Sequence, residues 1–177
     1  MSQGLYIRHG LFPRLPIYLF SGARDALVNR LQGEKLRCTP IEATPSNFTR
    51  LAELDASALG ISREKHHRYL VNDRTMKGVF LHAGDDCIGY AYVSATGHVG
   101  PLAVAQPRAM GAAFRTALDL AAAAEAPQVS VFLPGVSDQA LSIATEHGMR
   151  ITFPMVLVST REFGDWSRYL PRNPGFM

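Results

Sequence analysis

Residues 77–159 carry the sharpest alternation of apolar and polar positions. Residues 78–82 (GVFLH) predict a strand, and AGDD at 83–86 predicts a hairpin turn. Residues 88–95 (IGYAYVSA) predict a second strand with Tyr90 and Tyr92 on one face and Gly89 and Ala91 on the other. Thr96-Gly97 turns the chain into a third strand, residues 98–104 (HVGPLAV). Pro107 then opens a helix in which Met110, Ala113, Phe114, Ala117, Leu118 and Ala121 recur at the 3.6-residue period and form an apolar stripe. Residues 129–133 (VSVFL) are almost wholly apolar, the pattern of a strand buried on both faces. A second helix spans 137–147, with Gly148 in the C-cap position. A last strand spans 151–159.

The first 76 residues are patterned more weakly. Residues 1–22 read as short apolar pieces broken by Gly10, Pro13, Pro16 and Gly22, with 16–20 (PIYLF) as a short strand. Residues 23–32 suggest a helix, and 36–41 (LRCTPI) a strand weakened by Pro40. Thr44-Pro45 is a helix start, followed by Phe48, Leu51 and Leu54 at helical spacing and by Gly60 as a stop. Ser62 is placed to cap a further helix running to Asn72. The order is therefore strand, two helices, a three-strand antiparallel meander, helix, strand, helix, strand. It predicts an α/β fold of the mixed-sheet kind, the meander followed by a βαβ unit, with helices on both faces.

Composition narrows the function classes. A chain of 177 residues with 47% hydrophobic and 19% charged residues has material for one buried core and too little charge for disorder. The net charge of +3 suits a small anionic cofactor. The one basic run, 63–68 (REKHHR), reads as a solvated helix face. Without a Lys/Arg stripe and interleaved aromatics, a nucleic-acid partner is not favoured. Cys38 and Cys87 lie in strand-like contexts with no ligand spacing, as reduced buried thiols do in a cytoplasmic protein. Neither a signal peptide nor the roughly 20-residue apolar run of a membrane span is visible. No metal-binding constellation appears.

Four local patterns bring a family into view. Ile88-Gly89-Tyr90, the strand at Gly100-Pro101-Leu102-Ala103-Val104, the run 108–113 (RAMGAA) and the run 137–149 (SDQALSIATEHGM) follow one another in order. Together they resemble the "vvGy" strand, the fourth strand, the Q/R-x-x-G-x-G/A pyrophosphate loop and the N-x-x-A…Y…GF helix of the GNAT N-acetyltransferase superfamily. The resemblance covers residues 36–160. It implies an acetyl-CoA-dependent N-acetyltransferase acting on an amine of a small molecule or peptide; the alternative is a non-catalytic acyl-CoA-binding or interaction module of the same fold. Acetyl-CoA is the implied co-substrate. The backbone around Leu102, Ala103 and Val104 would take the pantetheine arm where the fourth and fifth strands splay. Arg108, Ala109, Met110, Gly111, Ala112 and Ala113, with Ser137, would form the rest of the cofactor site. A helix N-terminus is in any case an anion site by its free N–H groups and dipole.

The sequence also departs from the pattern. The loop from Val104 to Arg108 is about one residue short. Aligning Ala140 with the family's alanine puts Ser137 at the usual Asn and Ala144 at the usual Tyr, which commonly protonates the departing thiolate. His98 and Tyr92 are the candidates for proton transfer, with His98 bordering the splay and titrating near neutrality. Tyr90, Glu146 and His147 are weaker ones, and His66 and His67 have no carboxylate at a convincing spacing. Residues 5–22 resemble the closing strands of a preceding GNAT domain, so the chain resembles the C-terminal half of tandem bacterial proteins. The reading divides the chain into an arm (1–35), the domain (36–160) and an aromatic tail (161–177) holding Phe163, Trp166, Tyr169 and Phe176. An arm without its native partner suggests a homodimer through residues 5–20, and the tail would cover that surface or wrap the domain's own core.

Overall fold

The computed structural model describes residues 3–29 and 31–174, so Phe176 lies outside the described residues. The elements are α1 (Gln3–Arg8), β1 (Phe12–Ala23), α2 (Arg24–Val28), β2 (Arg37–Pro40), α3 (Pro45–Leu59), α4 (Glu64–Asn72), β3 (Met76–Ala83), β4 (Asp86–Ser94), β5 (His98–Val104), a 3₁₀ turn (Pro107–Ala109), α5 (Met110–Ala122), β6 (Gln128–Pro134), α6 (Asp138–Glu146), β7 (Arg150–Ser159) and β8 (Tyr169–Leu170). One mixed sheet runs β2-β3-β4-β5-β6-β1-β7, with β8 paired to β5. The meander β3-β4-β5 is antiparallel, and β5 meets β6 in parallel. This is the expected mixed α/β architecture.

Local chemistry sets most boundaries. The Thr44 hydroxyl accepts from Asn47 N at 3.3 Å, and Gly60, at φ 74°, closes α3 in the left-handed conformation. Three boundaries differ from the sequence reading. The helix after β1 is a single short turn, Arg24–Val28; Arg63 rather than Ser62 precedes α4; and Pro107 opens a 3₁₀ turn before α5 begins at Met110.

The largest difference concerns residues 12–23. They were read as part of an arm outside the domain, yet β1 lies inside the sheet, antiparallel to β6 on one side and to β7 on the other. Its prolines explain the weak signal. The pairing with β6 begins only at Ile17, beyond Pro13 and Pro16, and the register with β7 shifts between Pro13 and Leu15. The prolines thus sit where a missing N–H costs least. Residues 12–23 satisfy their ladder within the chain.

Two apolar layers flank the sheet. On one face α5, α6 and α2 bury Phe20, Val99, Leu102, Phe114, Leu118 and Val131, among others. On the other, α3 and α4 bury Phe48, Leu51, Leu70, Tyr90 and Tyr92, and the tail adds Trp166 and Tyr169. The tail therefore wraps its own core.

Candidate active site

The centre of the molecule is a fork between β5 and β6. They pair only at His98↔Ser130 and Val99↔Val131, and the strands part at Gly100-Pro101. Proline ends the ladder here because it has no N–H to give. Across β5, Gly89 lets β4 approach: a Cβ there would stand 2.4 Å from Ala103 O. The glycine of the Ile88-Gly89-Tyr90 pattern is thus a close-contact position on β4, against the strand that borders the fork.

The fork holds a strand of the chain's own tail. β8 pairs antiparallel with β5, Leu102 opposite Leu170 and Ala103 opposite Tyr169. Val104 N donates to Arg168 O at 3.0 Å. Tyr169 and Leu170 are 0% exposed and point to opposite faces of the sheet, so β8 is built into both apolar layers. The backbone that the resemblance assigns to a pantetheine arm is therefore engaged with residues 168–170.

At the open end of the fork the N-termini of α5 and α6 meet around a cavity of about 150 Å³, lined by Pro107, Met110, Val136, Ser137, Asp138, Gln139 and Ser167. Ser137 precedes α6 without capping it. Its Oγ is buried and has no hydrogen-bond partner among the described residues, which is costly unless something outside the chain bonds it. Gly111 N donates to Gln139 Oε1 at 2.8 Å, so a side chain from α6 takes one amide of the expected pyrophosphate loop. Arg108 is exposed and Ala109 and Ala112 are half-buried, whereas Met110 and Ala113 face the core. Ala144 is fully buried in that same core.

Tyr92 is buried and His98 half-buried, each with its own partners. Arg172 O accepts from His98 Nε2 at 2.6 Å, and His98 Nδ1 meets Ser130 Oγ at 2.8 Å. Burial holds the His98 imidazole below its usual range, hence neutral at pH 7 as a base must be, but both nitrogens are committed. Burial moves the Tyr92 hydroxyl the other way, far from neutrality. His147 is buried and bonds Ile143 O, whereas Glu146 lies on the outer side of α6.

Tyr92 belongs to a cluster that sequence reasoning missed. Asp55 on α3, 0% exposed, accepts from Arg63 Nε at 3.0 Å, from the Tyr90 hydroxyl at 2.5 Å and from His67 Nε2 at 2.8 Å. His67 Nδ1 lies 3.2 Å from the Tyr92 hydroxyl, and the Arg63 guanidinium covers the Tyr169 ring at 4.7 Å. Burial alone would raise the Asp55 carboxyl, but His67 and Arg63 outweigh it and hold it low. This corrects the reading of 63–68 as a solvated face: Arg63 and His67 turn inward, whereas Lys65 and the Glu64–Arg68 pair stay on the outer side. His67 does have a carboxylate, on the preceding helix.

The depressed histidines give the fold a pH dependence. Burial, with Arg63 and His67 beside it, lowers His66 to about 4, and burial lowers His98. Between their usual value near 6.5 and the folded value the unfolded chain binds more protons, so stability is present above pH 6.5 and falls as pH drops towards 4. Urea midpoints should decline steadily from pH 7 to pH 4.5; an unchanged midpoint would contradict this assignment.

An antiparallel meander, a βαβ unit and a fork between parallel strands with two helix N-termini at its mouth define the class of protein. The chain has the fold of the GNAT acetyltransferases. A Pyrococcus horikoshii protein provisionally assigned as an acetyltransferase superposes with TM-score 0.65 at 16% identity, over 95% of this chain and 53% of its own. A GCN5-related N-acetyltransferase from Sphaerobacter thermophilus gives 0.57 at 16% identity over 94% and 56%, and one from Anabaena variabilis 0.57 at 13% over 88% and 42%. The chain thus spans about half the length of these structures. No protein-family model and no curated protein sequence matches it. Among the described residues, no helix is long and apolar enough to cross a membrane.

Proposed function

We propose that this chain is an acyl-CoA-binding domain that transfers an acetyl group to an amine. The observation that carries the reading is the buried, unpartnered Ser137 Oγ in the cavity between two helix N-termini, at the mouth of the fork. A phosphate group is accommodated there by the Ser137 hydroxyl and the partial positive charge of the α6 N-terminus, with Asp138 in the lining as the opposing charge. Arg108, exposed and next in sequence to the lining residue Pro107, adds a cation, and Leu102–Val104 offer an extended backbone edge. That edge accepts peptide-like partners, since Val104 N already serves Arg168 O. Bound acetyl-CoA would supply the activated acyl group; this chain's part is to hold it, exclude water and accept the amine proton. His98, kept neutral by burial beside the fork, is the proposed base.

A measurement of thermal stability with millimolar acetyl-CoA tests this. Ligand at about 100 times its Kd stabilises a protein by about 2.7 kcal/mol. A clear rise in Tm is expected, mostly lost in Arg108→Glu; no rise in either protein would sink the reading. A second reading, a non-catalytic module of the same fold, is favoured by Ala144, which has no proton to give a leaving thiolate. Thiol release with a panel of amines separates the two: steady release supports the enzyme, and binding without release supports the module.

A further inference from the structure

The tail is held in the fork by contacts that leave the rest of the sheet complete. β8 is only two residues long, and beyond its ladder the segment is fixed by side chains and single hydrogen bonds. Arg168 Nη1 donates to Ala105 O at 2.9 Å, its Nη2 to Ser57 O, and Asp165 N to Ala58 O at 2.6 Å. Arg172 O accepts from His98. Removing the segment leaves β5 paired with β4, and β6 paired with β1. It also frees Val104 N and His98 Nε2 at one stroke.

We propose that residues 165–174 are a built-in competitor of the acyl-CoA arm: the segment closes the fork of the free protein and must leave for the arm to enter. This rests on the acyl-CoA reading above. The argument is exclusion. Val104 N has one proton and the edge at 102–104 accommodates one strand, so tail and arm cannot both be seated. The side chains of Tyr169 and Leu170 also fill both layers at that point. The apparent affinity for an acyl-CoA is then its intrinsic affinity multiplied by the fraction of molecules whose tail is out. The headgroup cavity at α5 and α6 borders the tail only at Ser167, so a ligand without the arm escapes this penalty.

The sole tryptophan makes the movement observable. Trp166, 4% exposed, lies edge-on to Phe163 and Tyr169. Acetyl-CoA should red-shift its emission in the wild-type chain, and adenosine 3′,5′-bisphosphate, which lacks the pantetheine arm and its phosphate, should not. Tyr169→Ala should bind acetyl-CoA about 10-fold or more tighter, with the bisphosphate affinity unchanged. Leu102 and Leu170 are directly opposite, so the Leu102→Cys/Leu170→Cys protein can be locked by oxidation. The oxidised form should lose acetyl-CoA binding, keep the bisphosphate and recover on reduction. Equal acetyl-CoA affinity in the oxidised and reduced forms overturns the competitor and spares the cofactor reading. Binding of neither ligand to any form overturns both.

Discussion

Asp55→Ala should lower stability by about 3–5 kcal/mol, the usual cost of removing one partner from a buried ion pair. The carboxylate accepts from Arg63, His67 and the Tyr90 hydroxyl, and all three are buried. Deleting it leaves a guanidinium stranded between Tyr90 and Tyr169. For a domain of this length the loss corresponds to a fall in Tm of roughly 10 °C. Asp55→Asn should not rescue the protein, because an amide keeps the volume without the charge. Equilibrium urea unfolding decides the point: a cost below about 1 kcal/mol would mean that the cluster is hydrated and contributes as surface pairs do.

Phe114→Ala should cost about 3–5 kcal/mol, the range for truncation of a buried aromatic side chain. Its neighbours along α5 are Met110, Ala113, Ala117, Leu118 and Ala121, all buried. Alanines on a rigid helix have no atoms to move into the space a phenyl ring vacates, so most of the cavity persists. Phe114→Leu, which keeps most of the volume, should cost less than about 1.5 kcal/mol. Similar midpoints for the two variants would show that the layer between α5 and the sheet collapses freely.

These two positions separate what could be read in advance from what could not. Phe114 belongs to a repeat of the helical period, and its burial followed from spacing alone. Asp55 lies on the buried face of α3, with Leu51 and Leu59 one turn away on either side, and the spacing names no partner for it. Its partners lie on α4 and β4, and they become neighbours only when both helices close on the same sheet face. The one hint was the unusual run of Arg63, His66 and His67, and charge patterning by itself reads as a solvated surface.

The candidate site divides in the same way. Pro101 and Ser137 were legible because each carries a local backbone demand, a lost N–H and a helix start, and Gly89 through the resemblance of its strand. The identity of the strand in the fork was not. The proposed pantetheine arm would meet Val104 as an extended, amide-bearing chain much as residues 168–170 do, and only the distant return of the chain shows that the tail is seated there.

By itself, then, the sequence determined the elements from β1 to β7 and their order, because period 2 and period 3.6 are properties of consecutive residues. It also determined the place where β5 and β6 part. Tertiary structure alone decided that β1 enters between β6 and β7, that Asp55 meets Arg63 and His67, and that β8 closes the fork. Each of these joins residues far apart in the chain, through backbone groups or side chains whose local pattern is indifferent to the partner they find.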